Sequence, residues 1–169
     1  MITKSQASQL TELLRLPEAT VEDMAVVDGF GLFFVISSTR RDAECPRCGK
    51  RSRHVHTNHR YNIEDLPWNE QSVILRVNRR QFWCQNCRQV FSEELAFVKK
   101  NRLYTQRLAN QIVSQVLGSN IHNIAVRTGL SDEQIETMIK DAGEVHLAEV
   151  PKFNVTDIRS EKKGVRPDR

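Results

Sequence analysis

The chain has 169 residues, of which 39% are hydrophobic and 27% charged, and carries a formal net charge of +4 at pH 7. That length suits one compact domain or two small ones. No run reaches the 18 or so apolar residues that a membrane span needs, and the opening Met1–Gln6 lacks an export signal's apolar core, so a cytoplasmic protein without a membrane partner is expected.

The first expected element is a helix, because Leu10, Leu13 and Leu14 have helical spacing and Pro17 ends the run. Two extended segments follow, Val21–Val27 and Leu32–Ser38, with Asp28-Gly29 as the hairpin turn. These parts read as scaffold.

All four cysteines come next, as two C-x-x-C pairs: Cys45-Pro46-Arg47-Cys48-Gly49 and Cys84-Gln85-Asn86-Cys87-Arg88. A redox dithiol would need only one pair. Two disulfides would need an oxidising compartment, which nothing in the sequence marks. Two pairs supply four thiolates, the tetrahedral set that zinc prefers, and leave no open coordination position. The metal expected at Cys45, Cys48, Cys84 and Cys87 is therefore a structural Zn²⁺. Gly49 suits the tight turn of the first knuckle.

Thirty-five residues separate the knuckles, too many for a short ββα finger and enough for the strand pair of a zinc ribbon. Val73, Leu75 and Val77 alternate with Ile74, Arg76 and Asn78, and Arg53, Val55 and Thr57 alternate with His54 and His56. Asp65-Leu66-Pro67-Trp68 reads as a turn with an aromatic anchor. A unit this small buries too little to fold on apolar area alone, and zinc would add on the order of 10 kcal/mol. His54, His56 and His59 are expected on a strand face within reach of phosphate, since four thiolates already fill a zinc shell. Phe82 and Trp83 are expected to pack around the metal.

From Arg40 to Val90, eleven Lys/Arg stand against five Asp/Glu; from Asn101 to Val150, four stand against six. The basic charge lies on the metal module, which implies a polyanionic partner, most simply double-stranded DNA. A merely solvated basic surface is the plain alternative. Arg47, Lys50, Arg51, Arg53, Arg76, Arg79 and Arg80 are the candidates for phosphate contact, arginine being suited to bidentate bonds.

Phe91–Lys100 reads as a connector. Beyond it Leu108, Ile112 and Val116 form a helical stripe beside Ala109, Val113 and Leu117, and Gly118 is a fitting stop. A short helix is expected over Asn120–Thr128, a turn at Gly129-Leu130, and a third helix capped by Ser131 with Gln134 completing a capping box. This is helix-turn-helix spacing, although plain helical hairpins also use a glycine turn. The third helix would set its first residues against base edges. Here that end carries Asp132, Glu133 and Glu136, which suit the helix dipole and repel phosphate. Arg127, Gln134 and Thr137 are the candidate DNA contacts of this part.

The expected fold is α+β. An N-terminal helix and β-hairpin occupy 1–40, a β-rich four-cysteine zinc ribbon 41–98, a helix-turn-helix bundle 99–148 and a tail 149–169. This order of parts resembles the N-terminal half of bacterial insertion-sequence transposases of the ISL-three family. The resemblance is carried by Cys45–Gly49, by Asp65–Trp68, and by Arg79-Arg80-Gln81-Phe82-Trp83-Cys84 running to Phe91-Ser92-Glu93. It implies binding to the terminal inverted repeats of a mobile element, alone, with a second copy, or with a full-length transposase. It also implies a following RNase-H-like domain that cuts DNA with three acidic residues. Val155–Gly164 resembles the first strand of that domain, and Asp157 falls where the family's first acid stands, followed by Ile158 where the family usually has Glu. The second and third acids are not found before Arg169, so a truncated, non-catalytic DNA-binding protein is expected. A subunit of a split transposase and a regulatory protein-interaction module are the other readings.

Overall fold

The first helix, α1 (Lys4–Leu14), starts at a capping box: Gln6 accepts from the Thr3 N–H at 2.8 Å, and the Thr3 hydroxyl accepts from the Gln6 N–H at 3.3 Å. It is the first element of a computed structural model of the protein that describes residues 1–149. The remaining tail, with the expected strand around Asp157, lies outside the described residues.

The strands are β1 (Ala19–Val27), β2 (Gly31–Ser38), β3 (Ala43–Glu44), β4 (Arg51–Ser52), β5 (Val55–Trp68), β6 (Gln71–Cys84) and β7 (Gln89–Ser92). The helices after them are α2 (Gln106–Val116), α3 (Ile121–Thr128) and α4 (Asp132–Glu149). One sheet has the order β1-β2-β6-β5, with β7 also paired to β6; β3 and β4 form a separate pair. β6 is the spine. Its first half lies parallel to β2, from Leu32↔Val73 to Ile36↔Val77. Its end lies antiparallel to β7, from Gln81↔Ser92 to Cys84↔Gln89. The sheet thus runs across the boundary expected at residue 40.

Three apolar clusters follow from this. Phe34, Ile36, Ile63, Leu75 and Val77 are buried on one face of the sheet, under Leu14, Leu16, Leu95 and Phe97. The segment expected as a plain connector, 91–100, therefore contributes Leu95 and Phe97 to this core, and its first two residues belong to β7. A small cluster of Ala43, Cys45, Phe82, Cys84 and Phe91 forms the ribbon's interior. The third joins the helices through Leu108, Ile112, Ile124, Ile135 and Met138.

Two sequence expectations change. Asp65–Trp68 is the end of β5, and the turn is Asn69-Glu70. Both residues have positive φ, 47° and 64°, as a two-residue turn between twisted strands requires. The alternation expected over 53–57 is interrupted by a register shift between Val55 and Thr57, and Val55 is exposed. Trp68 is exposed, with its ring 5.9 Å from that of the buried Phe34.

In the helical part, Asn120 caps α3 and Gly129 (φ 76°) ends it. Ser131 and Gln134 form the expected box at the start of α4, with bonds of 2.9 and 3.2 Å. Buried carboxylates fix this part to the sheet. Asp65 accepts from the Thr105 hydroxyl and from Arg107 Nε, both at 2.7 Å, and Arg107 also reaches the Leu14 carbonyl. Asp141 of α4 accepts from Arg102 (2.7 and 2.6 Å) and from the Tyr104 hydroxyl (2.9 Å). Among the described residues, no helix is long and apolar enough to cross a membrane.

Candidate metal centre and nucleic-acid face

The first knuckle joins β3 to β4, whose pairing of Ala43 with Ser52 brings its ends together. The Cys45 N–H donates to the Lys50 carbonyl, and the Gly49 N–H to the Cys45 carbonyl, each at 2.9 Å. Gly49 has φ 70°, where a side chain would be strained. The second knuckle joins β6 to β7, and the Cys87 N–H donates to Cys84 Sγ at 3.4 Å. Long β6 carries Cys84 to the first knuckle, and Ser52 Oγ donates to the Trp83 carbonyl at 2.6 Å to hold the two together.

The four sulfurs lie within 4.8 Å of one another, and Cys48 Sγ is 3.7 Å from Cys84 Sγ. Four sulfurs around zinc at about 2.3 Å would stand about 3.8 Å apart, so the quartet fits this ion. Burial pushes the Cys45 thiol up, but N–H groups of Arg47 and Cys48 outweigh it and bring the value down to about 6. Cys87 is pushed up to about 12, chiefly by its bond to Cys48 and by burial. A bare cluster thus resists holding four thiolates, and a divalent cation removes that resistance. The quartet is a structural zinc site, closed to water and substrate. His54, His56 and His59 are exposed and stand outside it. Phe82 is fully buried beside the metal cysteines, while Trp83 is half-buried with its ring 6.5 Å from His56.

The expected DNA contacts separate into groups. Arg47, Lys50, Arg51 and Arg53 are exposed around the first knuckle, and Arg76 is exposed on β6. Lys50 Nζ donates to Asn86 at 3.1 Å, and Arg51 and Arg53 both lie 3.6 Å from Asp42. Lys50, Arg51, Arg53, His54 and Asn86 line one open cleft. Arg79 and Arg80 are half-buried instead, on opposite faces of β6, and both are tied to Glu93. Arg80 makes a double bond-pair with the buried Glu93 (2.6 and 3.2 Å), and Arg79 Nε donates to the Glu93 carbonyl at 2.8 Å. Arg127 is exposed at the end of α3 and donates to Gln115 at 2.7 Å. The Gln134 amide is engaged on both sides, by the Ser131 N–H and by Glu64 at 3.3 Å. Thr137 donates to the Glu133 carbonyl one turn earlier in α4. Arg60 on β5 and Arg88 in the second knuckle are exposed cations as well. Neither was singled out from the sequence, where Arg60 stands among histidines and asparagines with no periodic signal.

Residues 41–87 match the family model described as the zinc-finger of transposase IS204/IS1001/IS1096/IS1165. The chain is also similar to the transposase for insertion sequence element IS1001 of Bordetella parapertussis, with 34% identity over 113 residues. That alignment covers 66% of this chain and 28% of the relative, so the chain spans less than a third of the curated relative it matches. No solved structure matches it. Over residues 41–87 the chain is thus similar to the zinc ribbon of insertion-sequence transposases of the ISL-three family.

Proposed function

We propose that this protein binds the terminal inverted repeats of an insertion sequence, as the DNA-binding part of a cytoplasmic transposition system. The observation that carries this reading is a set of exposed cations held on a metal-ordered ribbon of a transposase family. Arg47, Lys50, Arg51, Arg53 and Arg76 meet phosphates. Arg79 and Arg80 brace the strand beneath them through Glu93. The three C-terminal helices act as a helix-turn-helix unit, in which Arg127 and Thr137 contact the backbone and Gln134 fixes α4 to the sheet. The residues described here bind and orient DNA. Strand cutting is assigned to an acidic catalytic domain outside the described residues.

Titration of the zinc-loaded chain with duplexes selected from a random pool, at several salt concentrations, tests this. Six phosphate contacts by cations, Arg127 included, give a slope of about −5 in log K against log salt. A flat salt response contradicts the phosphate contacts, and equal affinity for a shuffled duplex contradicts end recognition.

A further inference from the structure

DNA binding as proposed above leaves open which surface tells one sequence from another. α4 is poorly equipped for that task, with Asp132 and Glu133 exposed in its first turn and Gln134 engaged within the protein. The middle of the β5–β6 hairpin is different. In its register Asn58 stands opposite Arg80, Arg60 opposite Asn78, and Asn62 opposite Arg76, with no bulge between these rows. The six side chains therefore share one face of the sheet. On the other face Ile63, Leu75 and Val77 are buried, while the row nearest the ribbon carries His59 and Arg79.

On the outward face Asn58, Arg60, Asn62 and Arg76 are exposed, and Asn78 is half-buried. Arg80 closes one end in its pair with Glu93, and Glu64 closes the other in its bond to Gln134. No carboxylate lies between. β5 is the outer strand of the sheet, and Asn78 and Arg79 pair with β5 alone, because β2 pairs with β6 only as far as Val77 and the chain after β7 first bonds β6 where the Glu93 N–H donates to the Arg80 carbonyl. The sheet narrows there to two strands, a width that a DNA major groove admits. Asparagines add no charge, so three of them on a basic surface offer directional hydrogen bonding rather than attraction. Residues two apart on a strand are about 6.8 Å apart, close to two base-pair steps. The Asn62 amide is also held in orientation, its Oδ1 3.5 Å from Arg76 Nε.

We infer that this strip reads bases: the β5–β6 ribbon enters the major groove, Arg60 bonds a guanine through O6 and N7, and Asn58 and Asn62 bond adenines through N6 and N7. The inference rests on the DNA-binding reading.

The test uses the full zinc-loaded chain, a selected duplex and a shuffled one. Asn62→Ala is expected to cut the ratio of the two affinities about tenfold, leaving the salt slope and the shuffled-duplex affinity unchanged. Arg60→Ala is expected to relax preference at one guanine. Replacing that guanine by 7-deazaguanine should weaken the wild type about tenfold and weaken Arg60→Ala no further. The wild-type arm of that measurement needs no variant to fold. Arg53→Ala, by contrast, is expected to lower both affinities equally and to reduce the slope by about 1. Discrimination that survives both strip substitutions, with zinc content and circular dichroism intact, overturns the inference alone. A wild type that binds no duplex overturns the DNA-binding reading and the strip together.

Discussion

Asp65 is 4% exposed, and its carboxylate receives Arg107 and Thr105. Removing one partner of a buried ion pair leaves the other charge without compensation, which costs about 3 kcal/mol when the survivor keeps some access to water. Arg107 keeps such access, its side chain being 33% exposed. Asp65→Ala should therefore lower unfolding stability by about 3 kcal/mol in a urea titration; a loss below about 1 kcal/mol would mean that the clamp contributes little. Asp141 adds a pH dependence. Its bonds from Arg102 hold the carboxyl below the usual carboxylate range, with burial opposing and Tyr104 assisting. A depressed folded value contributes stability above the unfolded pKa of about 3.9 and loses it as pH falls through the folded value. Wild-type stability should thus drop in acid, and Asp141→Asn should flatten that drop. A variant with the wild-type acid profile would remove Asp141 from the explanation.

The β5–β6 hairpin turns on Asn69 and Glu70, two residues with side chains in left-handed backbone. Glycine is freer there, so Glu70→Gly should raise stability by about 1 kcal/mol by thermal or urea unfolding. At the start of β2 the sign reverses. A Cβ on Gly31 (φ 107°) would lie 2.2 Å from the Ser72 carbonyl oxygen, so Gly31→Ala should loosen the β2–β6 pairing and lower stability. These two positions also show what the sequence could reveal. The apolar face of β6 was legible, because Val73, Leu75 and Val77 alternate and Leu75 and Val77 are fully buried. The metal cysteines were legible because their spacing is local. The Asn69-Glu70 turn was not, since it lacks the glycine that marks such turns, and Pro67 drew the turn two residues early. The parallel β2–β6 pairing and the Asp65–Arg107 clamp join residues some forty positions apart, beyond any local pattern. The pairing of Arg80 with Glu93 was hidden too: an arginine reads as exposed until its buried acid is placed beside it.

For the whole molecule, one long hairpin carries two bodies. Its lower half belongs to a sheet with an ordinary apolar core, and its upper half to a ribbon whose interior holds few side chains other than the metal cysteines. The ribbon is too small to persist without its ion, whereas the sheet and helices have cores of their own. Metal removal should therefore expose amides around residues 43–54 and 84–91 to hydrogen exchange while those of 32–36 and 73–77 stay protected. The most direct measurement is to follow zinc content and duplex affinity together as a chelator is added to the full chain. One zinc per chain is expected, with affinity falling in step with its release and returning when zinc is restored. A folded, reduced chain that holds no zinc, or one that grips DNA equally well after losing it, would contradict the claim that the metal builds the DNA-binding surface.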